Sequence, residues 1–499
     1  MPGNISLDKL FSLFKYDPGD PLLFSTGLFL FLFFFFLLVY NLLGKNKQAR
    51  IIFLIVFSLY FYYKCAGFYF LILIVSAIAN FFFGKWIAIT ENFTKKRLVL
   101  ILALIANIGL LGYFKYTNFI IQIINSVRSS QIDPLAIFLP IGISFYTFKS
   151  LSYVFDVYFD TLRPTKSFRD FSLYVFFFPN ILAGPIDRAS DFLPQIDREP
   201  FISNEDIGRA IFLIILGLIK KVVIADYISL NFVDRVFDYP LRFTGVENLL
   251  AIYAYALQIY CDFSGYSDLA IGIGLLLGFK LTINFNSPFK ARSIADFWRR
   301  WHISLSKWLL DYLFKPIQLS LRNLRMYSNI IALIVTFFIC GLWHGAGWNF
   351  ILWGAIHGVM MSFALLIAKP KAKLYQLLKI QNTKILHLFQ VIITFHLVAF
   401  SFLVFRSHDV QTVIDIFSQI IYFFHREVFV QFIEKLPLIF GLIAAGYLFH
   451  FLPGKVEGKL QKFVTAMPLL GKAVLLVIAI WLAAQFKSAD IQPFIYFQF

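Results

Sequence analysis

Long runs of apolar residues without charged side chains dominate the chain. The clearest runs cover residues 21–44, 65–84, 98–114, 385–405 and 436–454, and residues 326–368 contain no Asp, Glu, Lys or Arg. A helix of about 20 apolar residues crosses a hydrocarbon core about 30 Å thick. The pattern therefore predicts an all-α, polytopic integral membrane protein.

The overall composition indicates the same class. Of the 499 residues, 59% are hydrophobic and 15% are charged, and the mean hydropathy is +0.75. Soluble domains contain about 45–50% apolar and about 25% charged residues. A soluble globular protein is therefore excluded.

The formal net charge of +17 is distributed between the apolar runs. The basic residues that punctuate the runs are Lys45, Lys47, Arg50, Lys95, Lys96, Arg97, Lys220, Lys221, Lys369, Lys371 and Lys373. Short basic loops beside membrane spans contact anionic lipid headgroups. Because no basic segment carries the signature of a nucleic-acid-binding fold, the charge predicts membrane lipid as a partner and excludes nucleic acid.

Residues 176–188, FFFPNILAGPIDR, interrupt the helical pattern. Two prolines and a glycine within this segment prevent a regular helix. Irregular backbone at membrane depth must be surrounded by protein or must line a water-filled cavity. The segment is therefore either a structural kink or part of a cavity wall.

Two acidic residues lie in the otherwise apolar stretch 248–277. Asp262 and Asp268 are its only acids, and the intervening residues include Ser264, Tyr266 and Ser267. Acidic side chains in such surroundings usually face the interior of a helix bundle or water. This placement favours structural carboxylates held by hydrogen bonds over catalytic ones.

Residues 297–314 predict an amphipathic helix that is too charged to span a membrane. Apolar side chains recur there at three- or four-residue spacing, which favours a position at the membrane interface or in a re-entrant cavity. Trp298 and His302 are four residues apart and are therefore expected on one helix face.

Two Trp-His pairs carry the candidate chemistry. Trp301-His302 lies in FWRRWHISLSKW, and Trp343-His344 lies in CGLWHGAGWN. The glycines beside His344 would allow close approach of a ligand, and the surrounding indoles disfavour an imidazolium ion. A neutral imidazole there is suited to accept a proton from a hydroxyl that attacks an acyl carbonyl.

A histidine within a membrane is equally able to hold helices together by hydrogen bonding. The lone histidines His357, His387, His396 and His450 are interpreted in this structural way. The pairing of two Trp-His motifs favours catalysis for His302 and His344. Neither histidine has a His-x3-His partner or a carboxylate at ligand spacing, so no metal site is expected.

Four segments resemble the membrane-bound O-acyltransferase family. They are residues 181–188 (ILAGPIDR), 258–279 (QIYCDFSGYSDLAIGIGLLLGF), 284–314 (NFNSPFKARSIADFWRRWHISLSKWLLDYLF) and 341–358 (GLWHGAGWNFILWGAIHG). The resemblance is greatest to the bacterial alginate O-acetyltransferase branch. The chain departs from that branch after Tyr312, where Phe314-Lys315-Pro316 leads into IQLSLRNLR instead of a Pro-Gly-Gly turn, so alginate itself is not implied as the acceptor.

The resemblance implies about 11–13 membrane helices, together with re-entrant or interfacial helices, around a central tunnel. His344 matches the essential histidine of the family and His302 its second motif histidine. The residues expected to bind substrate or to orient His302 are Trp298, Arg300, Trp301, Trp343 and Asn349. One membrane-embedded domain is expected over residues 1–499, with N-terminal helices in 1–130, the motif-bearing core in 135–368 and C-terminal helices in 369–499.

The implied reaction moves an acyl group, acetyl in the branch resembled, to the hydroxyls of a polysaccharide at the cell surface or in the periplasm. The donor would be acetyl-CoA or another cytosolic acyl thioester, and no bound cofactor is expected. An exported partner acyltransferase is implied, and the location would be the bacterial cytoplasmic membrane.

Other functions remain open from the residues alone. A transporter or proton-coupled channel would use His302, His344, Asp262 and Asp268 as a proton relay. A membrane scaffold would only dock a soluble acyltransferase. The related teichoic acid branch would transfer D-alanine.

Overall fold

The computed structural model describes residues 11–128, 131–198, 202–381 and 383–486, and the regular elements in these ranges are helices. The first nine α-helices are α1 (Gly27–Leu42), α2 (Lys47–Ala66), α3 (Phe70–Ile89), α4 (Phe93–Arg128), α5 (Ile143–Tyr158), α6 (Phe168–Phe176), α7 (Phe178–Ile181), α8 (Ala189–Ile196) and α9 (Asn204–Leu218). The predicted all-α class is confirmed.

The chain continues through two π-helical segments, Ile219–Asp226 and Ser229–Val233, before α10 (Asp234–Asp238) and α11 (Gly245–Leu276). The motif-bearing helices are α12 (Ile294–Trp298), α13 (Ile303–Leu309), α14 (Lys315–Ser320), α15 (Met326–His344) and α16 (Trp348–Leu366). The remaining helices are α17 (Ala368–Leu377), α18 (Lys384–Arg406), α19 (Val410–Tyr422), α20 (Val428–Lys435), α21 (Pro437–Phe451), α22 (Gly454–Ala466) and α23 (Leu469–Phe486).

Six helices among the described residues are long and apolar enough to cross a membrane. They are the continuous stretch Lys47–Ile89, then Phe93–Arg128, Met326–His344, Trp348–Leu366, Lys384–Arg406 and Leu469–Phe486. The pair α20 and α21, bent by 97°, would make a seventh. The multi-pass membrane protein predicted from the apolar runs is confirmed.

The number of such helices is lower than the 11–13 implied by the resemblance. Apolar helices α1 and α19 have only 16 and 13 residues, and the apolar run that begins at Ile207 passes into a π-helical segment that contains Lys220 and Lys221. Short and interrupted helices therefore account for part of the difference.

Helix α1 shows how these helices distribute their side chains. Phe29, Phe33 and Phe36 are buried in the protein, whereas Phe31 and Phe34 on other faces are exposed. A helix that is apolar on every face is typical of a membrane span, because its outer face contacts lipid. The Phe-rich sequence thus supplies both the protein core and a lipid-facing surface.

The chain divides into two compact units. The first comprises Met1–Leu213 and Leu269–Thr282, and the second comprises Ile214–Asp268 and Ile283–Phe499. The expectation of a single membrane-embedded domain over residues 1–499 stays a prediction.

In the first unit, the Pro-rich segment at 176–188 is buried and holds a polar network. Nζ of Lys149 on α5 donates to Oδ1 of Asn180 at 2.7 Å, and Nδ2 of Asn180 donates to Asp187 at 2.9 Å. The other oxygen of Asp187 accepts from the backbone N–H of Thr282 at 2.9 Å. The segment is therefore a packed structural kink in which Asn180 bridges a buried lysine and a buried carboxylate.

The second unit contains both Trp-His motifs. Helices α15 and α16 form an antiparallel hairpin, and α16 also packs against α18. The loop before α12 is hydrogen-bonded to the chain around His302. The backbone N–H of Asn286 donates to the carbonyl oxygen of Arg300, and the N–H of Ile303 donates to the carbonyl oxygen of Asn284. These contacts place His302 between α12 and α13.

Candidate active site

His302 lies at a sharp break in the chain. The amphipathic helix predicted over 297–314 is wrong in its first half, because α12 ends at Trp298 and α13 begins at Ile303. His302 has φ 42° and ψ 55°, in the left-handed region that non-glycine residues rarely adopt, and its side chain is fully buried. Trp298 and His302 are therefore not neighbours on one helix face. A strained residue of this kind is often found at a functional site.

Asn284 holds His302 and the beginning of α13. Its Oδ1 accepts a hydrogen bond from the backbone N–H of Ser304 at 3.2 Å and one from Ser304 Oγ at 2.9 Å. The same atom lies 3.1 Å from Nδ1 of His302. Because a backbone N–H can only donate, the shared atom is the amide oxygen, which can only accept.

Nδ1 of His302 must therefore carry the proton in this hydrogen bond. The proton on Nδ1 leaves the lone pair of a neutral imidazole on Nε2. Burial lowers the pKa of His302 to about 3, so the ring is neutral at physiological pH. His302 is thus arranged as a neutral hydrogen-bond acceptor through Nε2.

The imidazole of His302 lies between aromatic side chains. Phe263 of α11 meets it edge-on at a centroid distance of 4.6 Å, and the Trp343 ring lies 5.9 Å away. Helix α11 also approaches Asn284, whose Nδ2 is 3.4 Å from Ser267 Oγ. Both the ring and its partner amide are therefore positioned against α11.

His344 is the last residue of α15 and is buried in a second group of aromatic rings. Its imidazole meets Trp343 at 5.0 Å, Trp353 at 5.1 Å and Phe405 at 5.4 Å, each at a steep interplanar angle. Trp353 comes from α16 and Phe405 from α18. The hairpin and α18 together therefore enclose His344.

Trp343 joins the two motifs. Centroid distances of 5.9 Å from His302 to Trp343 and 5.0 Å from Trp343 to His344 place the two imidazoles at most about 11 Å apart. The residues of the two Trp-His pairs are 42 positions apart in sequence numbering, yet they share this indole. The structure therefore brings the two Trp-His motifs together at one indole ring.

Trp298 does not orient His302, contrary to the expectation from sequence. Its indole Nε1 donates to Nδ1 of His357 at 3.2 Å, and Nε2 of His357 lies 3.0 Å from Ser401 Oγ. Ser401 Oγ in turn donates to the carbonyl of Val398 at 2.7 Å. His357 is thus a hydrogen-bonded link between helices, as its structural interpretation required.

Arg300 also pairs elsewhere. Its Nε donates to Asp296 at 3.1 Å, and its Nη1 lies 3.4 Å from the carbonyl oxygen of Asn286. The expectation that Trp298 and Arg300 orient His302 is wrong, because Asn284 supplies the hydrogen bond to the imidazole. Their roles in binding substrate stay predictions.

Trp301 and Asn349 both contact the protein closely. Trp301 stacks on Phe297 at 5.5 Å and meets Phe402 at 5.1 Å. Nδ2 of Asn349 donates to the carbonyl oxygen of Phe405 at 3.2 Å, which ties the beginning of α16 to the ring beside His344. Their predicted contact with substrate, like that of Trp343, is not tested by this geometry.

The glycines of the second motif serve helix packing. A Cβ at Gly341 would collide with the carbonyl of Phe350, and one at Gly354 would collide with the carbonyl of Phe337. A Cβ at Gly345 would collide with the Phe350 ring. The expectation that Gly341 and Gly345 admit a ligand is corrected, because neighbouring protein atoms occupy that space.

Buried ion pairs lie beside the site, in the second unit. Lys221 pairs with Asp226 and Asp262 at 2.7 Å each, and Lys220 pairs with Asp268 at 2.7 Å. The sequence predicted that Lys220 and Lys221 lie in a basic loop. That prediction is wrong, because both lie in the π-helical segment and Lys221 is buried. The structural interpretation of the two α11 carboxylates agrees with these pairs.

Sequence reasoning missed Asn284 and the two lysines as parts of the site. Asn284 is the first residue of the segment 284–314 that resembles the family. This position was the only sequence feature that marked Asn284 as a candidate for the site. The lysine pair has no equivalent signal for its contacts with α11, because Asp262 and Asp268 lie more than 35 residues away along the chain.

Comparisons with known proteins identify the family of this chain. The family model of membrane-bound O-acyltransferases matches residues 160–405. The peptidoglycan O-acetyltransferase of Helicobacter pylori is 37% identical over 426 residues, which are 79% of this chain and 79% of the relative. The probable alginate O-acetylase AlgI of Pseudomonas aeruginosa is 35% identical over 396 residues, covering 78% of this chain and 73% of the relative.

A third relative is more distant. The teichoic acid D-alanyltransferase of Bacillus subtilis is 30% identical over 276 residues, covering 54% of this chain and 68% of the relative. The matched region 160–405 contains His302, His344 and Asn284. The resemblance found in the motifs is confirmed, and this multi-pass membrane protein is an O-acyltransferase that belongs to the membrane-bound O-acyltransferase family.

Proposed function

We propose that this enzyme transfers acetyl from a cytosolic thioester, with acetyl-CoA as donor, to hydroxyls of a bacterial cell-surface or periplasmic polysaccharide. The single observation that carries the proposal is the shared contact of His302 and His344 with Trp343. Two imidazoles at most about 11 Å apart, both among aromatic rings, can act on a hydroxyl and a thioester carbonyl that meet between them.

In this mechanism His344 takes the proton of the acceptor hydroxyl as its oxygen attacks the acyl carbonyl carbon. The C–S bond then breaks, and the proton passes to the leaving sulfur to form the free thiol. His302 assists as a neutral imidazole beside the substrate, because the hydrogen bond to Asn284 keeps its proton on Nδ1. General-base catalysis of this kind contributes about 10²–10⁴-fold to a rate.

The choice of acetyl and polysaccharide follows the relatives' names. The peptidoglycan O-acetyltransferase and the alginate O-acetylase each cover more than three quarters of this chain. The D-alanyltransferase covers 54% of it, at lower identity. Because the segment after Tyr312 departs from the alginate-type pattern, peptidoglycan or another acetylated polymer is favoured over alginate.

Substitution of His344 tests the catalytic assignment. The His344→Ala and His302→Ala variants are expected to remain in the membrane and to lose polymer O-acetylation, because each removes one imidazole beside Trp343. Mass spectrometry of the isolated polysaccharide measures acetyl content and also distinguishes acetyl from D-alanyl by the mass added. His408→Ala is the control, since His408 is an exposed histidine whose Nε2 lies 3.3 Å from Oδ1 of Asp238. Normal acetyl content in the His344→Ala cells would refute the assignment.

The donor and the route to the polymer need a separate experiment. Purified protein incubated with radiolabelled acetyl-CoA and peptidoglycan is expected to label the polymer, either alone or after addition of an exported acyltransferase. Labelling only with the second protein would assign the last transfer to that partner. A transporter would instead move ions into vesicles without any acyl donor, and a scaffold would leave the label on the donor in both arms.

A further inference from the structure

Trp353 occupies the centre of the aromatic group that contains His344. It lies on α16, only 1% of its surface is exposed, and its ring meets the imidazole of His344 at 5.1 Å and an angle of 90°. Phe405 lies 5.1 Å from it, and His357 lies 4.8 Å from it. Its indole is therefore in direct contact with the proposed catalytic histidine.

The indole N–H of Trp353 is buried, and within the described part of the chain Nε1 has no hydrogen-bond acceptor. Buried donors in native proteins nearly always have a partner, because an unsatisfied donor loses its hydration without compensation. A buried donor of this kind beside a candidate catalytic group is available to a ligand.

The neighbouring Trp298 provides a direct comparison. Its ring lies 5.8 Å from that of Trp353, and its own N–H donates to Nδ1 of His357 at 3.2 Å. The two neighbouring tryptophans thus differ. The N–H of Trp298 donates a hydrogen bond within the protein, whereas the N–H of Trp353 has no acceptor among the described residues. The difference points to a ligand as the missing acceptor for Trp353.

We propose that Nε1–H of Trp353 donates a hydrogen bond to the carbonyl oxygen of the acyl group while it is transferred at His344. This proposal rests on the proposed function. As the acceptor hydroxyl oxygen bonds to the carbonyl carbon, its proton moves to His344 and the carbonyl π electrons move to the carbonyl oxygen. The N–H of Trp353 stabilises that negative charge until the C–S bond breaks and the thiolate takes the proton.

The distances are compatible with this arrangement. The two rings lie 5.1 Å apart, and a hydrogen bond to an oxyanion needs a donor about 2.7–3.1 Å from the oxygen. Because rings at this centroid distance are already in contact, the acyl group lies beside the ring pair, where its oxygen reaches Nε1–H of Trp353 while the attacking hydroxyl faces His344. Loss of one such donor lowers the turnover number of acyl-transfer enzymes by about 10²–10³-fold.

The test removes the N–H and keeps the ring shape. Full-length protein is produced in cells with 3-benzothienylalanine at position 353, in which sulfur replaces the indole N–H. The initial rate of acetyl incorporation into cell-surface polysaccharide, followed with radiolabelled acetate, is expected to fall by about 10²–10³-fold relative to the Trp protein. The thermal midpoint of the purified protein in detergent is expected to stay unchanged, because no hydrogen bond within the protein is lost.

Controls separate this proposal from the proposed function. The same analogue at Trp348, which is 62% exposed, is expected to leave the rate unchanged. A rate within twofold of the Trp protein at position 353, or a collapse of stability there, would overturn the role of Trp353. If His344→Ala stops labelling while the analogue at 353 does not, only this inference fails; if His344→Ala still labels the polymer, the proposed function itself fails.

Discussion

The side-chain oxygen of Asn284 accepts a hydrogen bond from Nδ1 of His302, across 18 residues of sequence, at 3.1 Å. The same oxygen accepts both the N–H and the hydroxyl of Ser304. One amide therefore holds the imidazole in a single tautomer and begins the helix that follows it. Asn284 is a positioning residue for His302.

Replacing Asn284 with Ala is expected to lower kcat by on the order of 10²-fold with a smaller change in KM, because His302 loses the bond that keeps its proton on Nδ1. Acetylation kinetics at varied donor concentration measure both parameters. Asn286→Ala is the matched control, since Asn286 is exposed two residues further along the same segment. Equal loss in both variants would show that the segment, and not the hydrogen bond, matters.

Asn284→Asp changes the pH dependence instead. Burial lowers the pKa of His302 to about 3, so the neutral imidazole persists through the range of pH 5–8. A carboxylate at position 284 would stabilise the imidazolium ion and raise that pKa. The acid limb of the kcat profile is therefore expected at higher pH in the variant, with activity lost as pH falls through the raised pKa.

The measurement is kcat at intervals from pH 4.5 to 8 in detergent-solubilised protein. Asn286→Asp introduces the same charge at an exposed position and is expected to leave the profile near that of the unmodified protein. An unchanged acid limb in Asn284→Asp would contradict the assignment of His302 as a neutral acceptor.

The α15–α16 hairpin yields a prediction about stability. A Cβ at Gly354 would collide with the carbonyl of Phe337 and lie 3.1 Å from Cα of Gly341. Gly354→Ala is expected to destabilise the protein by about 1–3 kcal/mol, because both contacts are backbone atoms in packed helices. Thermal unfolding in detergent measures the change.

Gly109→Ala is the control for helix propensity. Gly109 lies in α4, and a Cβ there would have nothing within 4 Å. That substitution is expected to stabilise the protein by up to about 1 kcal/mol, since alanine loses less conformational freedom in a helix than glycine. Destabilisation of similar size at both positions would argue against close packing as the reason for glycine at position 354.

The sequence allowed the class of the protein and the residues of its motifs to be predicted. Uncharged runs such as 326–368 became α15 and α16, because a long apolar helix has few alternatives in a membrane. The pairing of His302 with His344 was also anticipated from the repeated Trp-His dipeptide. These features depend on local composition and spacing, which a sequence displays directly.

The arrangement of hydrogen bonds could not be read in this way. The left-handed backbone of His302 has no glycine to mark it, and helical spacing suggested that Trp298 would be its neighbour. Instead, an amide 18 residues upstream provides the contact. Long-range contacts of this kind depend on how several segments pack together, which periodicity does not encode.

The Lys220–Lys221 dipeptide illustrates the same limit. Two adjacent lysines after an apolar run are typical of a basic loop, yet these two pair with carboxylates of α11 and of their own segment. The sequence displayed Asp262 and Asp268 as isolated acids, and only the tertiary structure identifies their partners. The prediction that Lys220 and Lys221 lie in a basic loop was therefore wrong.

Removal of the Lys221 ammonium tests the importance of these pairs. Lys221→Met leaves the carboxylates of Asp226 and Asp262 close together in a buried setting, which is expected to cost about 3–5 kcal/mol of stability. Lys47→Met is the matched control, because Lys47 and Asp197 form a lysine–aspartate ion pair at the surface. Such an exposed pair contributes about 1 kcal/mol or less to stability. Thermal unfolding in detergent compares the two variants.

The effect is also expected to reach the active site. Helix α11 carries Asp262 next to Phe263, whose ring meets the imidazole of His302 at 4.6 Å. A shift of α11 after Lys221→Met would therefore move the Phe263 ring that packs against His302, and kcat would fall. The triple variant Lys221→Met, Asp226→Asn, Asp262→Asn removes the ammonium and both carboxylates together and is expected to recover most of the lost stability. A Lys221→Met protein as stable and active as Lys47→Met would show that the buried pairs do not position α11.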